Sequence, residues 1–575
     1  MEKIVKLNES YYRELFPDCK LQFVELENVA QLPNPGLRSY VRRIIDGNNE
    51  IYTTPWIASK TPKRILSESQ KLLGDWMPHL DKIKDKWPTL YEFEKGLAAK
   101  VGPLSVQKPL VERAEGIMDY YKCISNTAAP ISQEAIAATI AEFDKARGLN
   151  LRSEKLTLNN MKKSTSSGLP YYMKRRKVVE ITFKDELLYN GGAIRGLIVE
   201  EVGKRTYIIG AILGWRGQEG GPEIDDMKQR VVWMFPFKVN VEELRVYQPL
   251  TEVFQHFNLN PAWTGERQVD ESITRLFDSK APEDLVVCTD FDKFDHHYNS
   301  EMQKASKTIL EALLAHNQTS KWWLENIFSI KYQIPLMVGI TEDGKAVFLT
   351  GDHGMGSGSG GTSFDETLGH RSLQHEAALS HGRTLNPYSI CLGDDGVLSY
   401  PGIKVEDVTR VYTSHGQEMN LSKQYASAHD CVFLRRWHHE AYRKNGICVG
   451  VYSTARALGR LMFQERYMDV DEYPRELDRT KMIALRELSI IENCKNHPLF
   501  EEFVRFCMAR DKFRLGLDIP GFISNISKFA ILATDYMPDF LGYTRSVQEG
   551  KTAPRDRGIA EWEVVKLLKR IQQEG

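Results

Sequence analysis

The sequence predicts an α+β fold in which short strands carry acidic side chains and helices pack around them. Three observations lead there. Ile390-Cys391-Leu392-Gly393-Asp394-Asp395-Gly396-Val397-Leu398-Ser399 sets two adjacent acids at a glycine-flanked turn between apolar runs, the pattern of a β-hairpin. Leu285-Val286-Val287-Cys288-Thr289-Asp290 reads as a short buried strand ending in an acid, with Asp295 five positions on, beyond a turn. Between the two, residues 351–361 contain six glycines, and a helix is expected from about Thr362 to His381, stopped by Gly382.

Each element has a chemical reading. Adjacent carboxylates repel, and a fold that keeps both ionised supplies a cation between them. Hard oxygen ligands suit Mg²⁺ or Mn²⁺. A parallel or antiparallel neighbour of the hairpin would bring Asp290 beside Asp394. Together these acids would hold two ions about 3.5–4 Å apart, the spacing that stabilises attacking and leaving oxygens in an in-line phosphoryl displacement. The glycine run lacks the Gly-Lys-Ser/Thr ending of a P-loop, which excludes that reading. Asp365 and Glu366 in the first turns of the following helix suit its dipole.

Asp-x4-Asp, then Ser-Gly-x2-Gly-Thr opening a helix, then Gly-Asp-Asp, resembles the palm of viral RNA-dependent RNA polymerases, motifs A, B and C in order. The wording is most similar to small double-stranded RNA viruses, picobirnaviruses first and partitiviruses next. The resemblance implies a right-hand polymerase with fingers, palm and thumb. Its palm would be an antiparallel sheet carrying the Gly-Asp-Asp hairpin, closed by an N-terminal bridging segment. The expected divisions are 1–110 for that segment, 111–283 for the fingers, 284–437 for the palm, and 438–575 for a helical thumb and tail. A helical fingers insertion is expected at about 301–350. The likeness runs from about Ser164 to Trp437; beyond it the labels follow the family architecture.

The same resemblance implies roles. Asp290 and Asp394 would be primary ligands of two Mg²⁺ ions, or Mn²⁺, with Asp395 supporting. Asp295 would accept a hydrogen bond from the ribose 2′-hydroxyl, with Ser357, Gly358 and Thr362 completing that network. Many relatives carry Asn four residues after the motif B threonine; this chain has Glu366, to which no role is assigned. Lys228 and Arg230, on one side of the strand opened by Lys228-Gln229-Arg230-Val231-Val232-Trp233, are similar to motif F and would grip the triphosphate. Ser164, Thr165 and Gly168 resemble motif G. They lie within residues 161–179, which hold six basic residues and no acid, Lys174 and Arg175 among them, suited to a template backbone. Lys423 would stand where motif D protonates departing pyrophosphate, and Val432-Phe433-Leu434-Arg435-Arg436-Trp437 resembles motif E.

Composition agrees without demanding this. The 575 residues are 42% hydrophobic, enough for a large core and several subdomains. The net charge of −1 is not that of a simple basic nucleic-acid module, so basic residues would line an internal channel. Eight cysteines without paired spacing suggest reduced thiols. His429, Cys431, His438 and His439 match no zinc spacing and are expected to pack. No signal character opens the chain and no apolar run would cross a membrane. The family implies RNA template and nascent RNA, ribonucleoside triphosphates and a capsid protein as partners. It also implies a monomer, in the host cell cytoplasm and the virion interior.

Helices are expected from Ile65 to Trp76, from Leu90 to Val101, after an N-cap at Ser132 with an end at Gly148, and from Glu301 to Phe328, where Trp322 and Trp323 would be core anchors. A linker is expected at 544–558, then an amphipathic helix with Ile559, Trp562, Val565 and Leu568 or Lys569 near one stripe, docked on the thumb as a core helix or else plugging the exit channel. Tyr452, Tyr467 and Tyr543 are candidate platforms for a first nucleotide, or core.

Three other readings compete. A reverse transcriptase would place a bulky aromatic where Asp295 stands. A two-metal nuclease or phosphatase has no use for the motif F bases or the Gly-Thr loop. A catalytically silent RNA-binding scaffold has no need of three intact aspartates.

Overall fold

Four short strands, all antiparallel, form the sheet that carries the acids: Ile390–Leu392, Asp395–Leu398, Val286–Thr289 and Tyr425–Ser427, in that order. They belong to a computed structural model that describes residues 6–125, 127–190, 193–199, 203–466, 474–534 and 558–574. Val286–Thr289 is buried at every position, as a strand covered on both faces requires. Leu392 pairs with Asp395, which leaves Gly393-Asp394 as a two-residue turn. Gly393 has a φ of +58°, the left-handed conformation glycine adopts without strain.

Behind this sheet lies the helix Thr362–Leu379, whose buried residues include Phe364, Leu368, Leu373 and Ala377. It packs against the helices Gln133–Glu142 and Ser300–Leu313. The sequence places Asp365 and Glu366 at its start for the helix dipole, but both are buried. Asp365 accepts the hydroxyls of Tyr247 and Tyr332, each at 2.7 Å, and pairs with the buried Lys331 ammonium at 3.0 Å. A buried charge needs such partners, and their number fixes the start of the helix.

A second sheet runs Lys20–Glu25, Lys345–Thr350, Leu336–Ile340, Ala211–Gln218, Lys228–Met234. Its first strand pairs from Lys20↔Thr350 to Glu25↔Lys345. Residues 56–104 belong instead to a core shared with residues 437–571. There Trp76 donates its indole N–H to Thr454 Oγ1 at 2.8 Å, and the Glu94 carboxylate accepts the backbone N–H groups of Thr454 and Ala455. The first 110 residues are thus divided between the five-stranded sheet and the core of the C-terminal helices.

Several expectations are corrected. The helix capped by Ser132 ends at Glu142 rather than at Gly148, and a short 3-10 turn, Asp144–Ala146, intervenes. The stretch 301–328 is two helices, Ser300–Leu313 and Gln318–Asn326, because Asn317 caps the second by accepting the Ser320 N–H. Residues 336–350 are not helical; they form two strands of the five-stranded sheet. Trp323 is fully buried, as a core anchor. The last helix, Glu563–Glu574, is docked, with Val565, Leu568 and Ile571 buried and Glu492 accepting the N–H groups of Glu563 and Val564. Tyr452 is buried. The expected linker, apart from Gly558, and Tyr467 and Tyr543 lie outside the described residues. All eight cysteines are free thiols.

Candidate active site

Sheet register brings the acids together. Gly396 stands across from Thr289, so the next position outward sets Asp395 opposite Asp290, with Asp394 in the adjoining turn. Gly396 is required there: a Cβ would come within 2.6 Å of the His370 ring. Partial desolvation raises the Asp290 carboxyl, the Lys423 ammonium lowers it, and the Asp394 charge raises it again. Burial and then the Asp394 charge push Asp395 up to about 7. These directions are those of carboxylates crowded into one place. Among the described residues no three His, Cys, Asp or Glu side chains are gathered closely enough to hold a metal ion between them.

Two contacts that the sequence did not flag hold these acids. Gln424 clamps the backbone of Asp290, accepting its N–H at 2.8 Å and donating to its carbonyl at 2.6 Å. Leu434 donates its N–H to Asp395 Oδ2 at 2.8 Å. Leu434 lies in the two-residue turn of the hairpin Asp430–Phe433 and Arg436–His439, where motif E was placed. Lys423 ends the 3-10 turn Leu421–Lys423 and is exposed.

Over the acids runs Lys228–Met234. Lys228 and Arg230 are exposed on alternate positions, as the strand period requires, and Arg230 Nη2 lies 3.8 Å from Asp394 Oδ2. Ser357 Oγ donates to Val231 O at 3.2 Å and ties the glycine loop to this strand. Gly358 passes so near that a Cβ would overlap the Trp233 carbonyl, at 1.5 Å. Thr362 Oγ1 donates back into the loop, to Gly356 O at 3.2 Å. The Ser357 and Thr362 hydroxyls thus shape the loop in this structure.

Burial raises the Asp295 and Glu366 carboxyls, Glu366 well above the usual range, and the Asp295 charge raises Glu366 further. Sequence reasoning gave Glu366 no role. Its spacing from Thr362 was visible, but the charge that acts on it was not.

In the motif G segment, Gly168 has a φ of +62° and a Cβ would lie 2.4 Å from the Phe235 carbonyl, so glycine alone fits. The Ser164 and Thr165 hydroxyls are buried without a hydrogen-bond partner. Lys174 Nζ donates to Ser164 O at 3.2 Å. Arg175 is committed inward: it donates to Asn240 Oδ1 at 2.7 Å and lies over the Phe237 ring at 4.8 Å.

An acid-ended strand beside an acidic hairpin, overlain by a basic strand and backed by a glycine-rich loop and helix, defines the palm-based nucleic-acid polymerases. Comparison narrows the class. Residues 133–441 match the family model described as viral RNA-dependent RNA polymerase. A human picobirnavirus protein, described as a potential RNA-dependent RNA polymerase, is 52% identical over 540 residues, covering 94% of this chain and 97% of the relative. Two crystal structures of the RNA-dependent RNA polymerase of a human picobirnavirus, one an insertion-loop deletion mutant, are each 49% identical with a TM-score of 0.83. Each match covers 95% of this chain and 98% of that one. The chain belongs to the viral RNA-dependent RNA polymerases, with their right-hand fold and their activity, RNA-templated synthesis of RNA from ribonucleoside triphosphates. Among the described residues no helix is long and apolar enough to cross a membrane.

Proposed function

We propose that this polymerase carries out nucleotidyl transfer at the sheet end formed by Asp290, Asp394 and Asp395. The observation that carries the reading is the register setting Asp395 opposite Asp290, with Arg230 3.8 Å from Asp394. Three carboxylates whose charges oppose one another fit a hard divalent cation, Mg²⁺ or Mn²⁺. Asp290 and Asp394 would hold it, with Asp395 supporting; when bound, the metal supplies a lowered pKa at the primer 3′-hydroxyl and neutralises triphosphate charge.

The chain's own residues do the rest. Lys228 and Arg230 bind the triphosphate, and the planar guanidinium suits two phosphate oxygens. Asp295 accepts the ribose 2′-hydroxyl, the group that distinguishes RNA precursors. Ser357, Gly358 and Thr362 keep the loop beneath it in shape. Lys423 donates a proton to the departing pyrophosphate. Ser164, Thr165, Gly168 and Lys174 guide the template strand, and Arg175 braces that segment. The divisions are 1–110 as bridge, 111–283 as fingers, 284–437 as palm and 438–575 as thumb and tail. A monomer working in the host cytoplasm and inside the virion, beside a capsid protein, completes the reading.

The test is labelled-nucleotide incorporation on primer-free single-stranded RNA with Mg²⁺ or Mn²⁺, wild type against Asp394→Ala. Full-length complementary product is expected from wild type alone, with the variant slower by about a thousandfold or more, which is roughly 4 kcal/mol of barrier. Absence of product even with an added primer would overturn the assignment.

A further inference from the structure

A cavity of about 260 Å³ lies beside the strand Ile390–Leu392, among the helix Glu266–Ser279, the turn at 258–261, the helix Thr362–Leu379 and residues 387–391. None of Asp290, Asp394 and Asp395 lines it, so it stands apart from the site of nucleotidyl transfer. Its volume is close to the lower end of the range for ligand sites, about 300–1,000 Å³, and admits one ring with a polar group. Helix spacing decides what faces inward. Gln268, Ser272 and Arg275 stand at i, i+4 and i+7 on one side of Glu266–Ser279, and all three line the cavity. Phe143, Pro261, Pro387 and Tyr388 give it apolar surface.

Two of the charged groups on its walls are already matched. Arg371 donates to both Glu142 carboxylate oxygens, at 2.8 and 2.7 Å, and Glu271 accepts from Arg267 at 2.9 Å. Among the described residues Arg275 has no ion pair; its exposed guanidinium lies over the Tyr388 ring, 5.7 Å from the centroid. An arginine laid on an aromatic face keeps its planar edge of donors for a carboxylate. The cavity thus offers apolar surface for a ring and one unmatched cation for an acid. A carboxylate suits it better than a phosphate, because one guanidinium balances a single charge.

We propose that this cavity is a regulatory site for a small aromatic carboxylate, which sets its ring against the apolar wall and its acid on Arg275. The same walls hold the Gly-Asp-Asp hairpin: Asn260 Nδ2 donates to Cys391 O at 3.0 Å, and Thr367 Oγ1 accepts the Gly393 N–H at 2.9 Å. Both residues line the cavity. The regulatory half rests on the reading of Asp394 as part of the catalytic site. An incoming triphosphate replaces Asp394 beside Arg230, 3.8 Å away in this structure, so the turn readjusts when a nucleotide binds. A filled cavity stiffens both tethers and slows that step.

The experiment titrates benzoate, with benzamide as its uncharged counterpart, into wild type and Arg275→Ala at constant ionic strength. Binding is read by saturation-transfer NMR without nucleotides, and the titration is then repeated in the incorporation assay. Benzoate is expected to saturate wild type at about millimolar concentration and to bind Arg275→Ala about tenfold more weakly. Benzamide is expected to bind both alike. Over the same benzoate range, kcat is expected to fall about twofold or more in wild type, with KM for nucleotides unchanged. Arg275→Ala without benzoate is expected to keep the wild-type rate. No saturable binding, equal benzoate binding by the two proteins, or displacement of benzoate by a nucleoside triphosphate would overturn the site. Binding with an unchanged kcat would overturn the regulatory role alone. Because binding is read without catalysis, a failure of the active-site reading leaves that result standing.

Discussion

Leu434 donates its backbone N–H to Asp395 Oδ2 at 2.8 Å, so the turn that follows the palm sheet holds the second acid of the Gly-Asp-Asp hairpin. The N–H is presented because Leu434 and Arg435 have φ of +48° and +62°, a left-handed pair that tightens the hairpin but strains side-chain-bearing residues. Asp395→Asn keeps an oxygen for that N–H, whereas Asp395→Ala leaves it unpaired. The alanine variant is expected to lose about 1 kcal/mol of stability and the asparagine variant almost none. Both should slow incorporation, since both remove a carboxylate charge. Melting curves and single-nucleotide incorporation on the two variants check this.

Gln424 is a sharper case, because only its amide touches the candidate catalytic strand. Gln424→Ala removes both bonds to the Asp290 backbone and is expected to lower kcat about tenfold with little change in melting temperature. Gln424→Glu is expected to be worse than alanine, because it sets a carboxylate against the Asp290 carbonyl and adds negative charge beside the acids. Primer-extension kinetics on the pair decide it; an alanine variant slower than the glutamate one would sink the clamp.

These two contacts also mark where reading the sequence stopped. The hairpin was legible because Gly-Asp-Asp-Gly between apolar runs leaves little but a tight turn, and Asp290 was legible because a wholly apolar run ended at it. Leu434 offers its own backbone N–H to a side chain 39 positions upstream, and Gln424 binds the backbone of a residue 134 positions upstream; side-chain identity does not encode such partners. Glu366 stands out in the sequence as a departure from the family pattern, but the charge of Asp295, 71 positions upstream, acts on it only in the fold. The strands at 336–350 are a different kind of miss. Asp343-Gly344 between two apolar runs is a hairpin signal, and Gly344 takes a φ of +90°, so the helical insertion expected at about 301–350 stops short of it.

Arg230 and Asp394 are both about half exposed, so their pairing adds little stability. Arg230→Ala is accordingly expected to leave the melting temperature within about 1–2 °C while raising KM for nucleoside triphosphates about tenfold or more. Arg230→Lys should recover part of the loss, since it restores charge but not the planar pair of donors. Steady-state kinetics across nucleotide concentration test this, and a lysine variant equal to wild type would remove the two-oxygen grip.

Glu487 makes the junction between the N-terminal segment and the C-terminal helices sensitive to pH. It is 1% exposed, accepts the Trp56 indole N–H at 2.8 Å, and meets the carboxyl of Asp511. Asp511 accepts the N–H groups of Phe513 and Leu515, contacts that favour its ionised form, so the proton between the two acids belongs to Glu487. Burial and then the Asp511 charge push Glu487 up to about 8. The folded pKa is thus raised above the unfolded value of about 4.3. The stability Glu487 contributes is fully present below that unfolded value. It declines as pH rises from there to about 8, by up to roughly 1.4 kcal/mol per pH unit, and is absent above. Glu487→Gln keeps an acceptor for Trp56 and a donor for Asp511 but does not titrate. Melting temperatures of wild type and this variant at intervals from pH 5 to 8.5 should therefore diverge, with the variant gaining on wild type as pH rises. Every other titrating group is common to both chains, so parallel curves would mean that Glu487 is already ionised at neutral pH and that the junction is held without the shared proton.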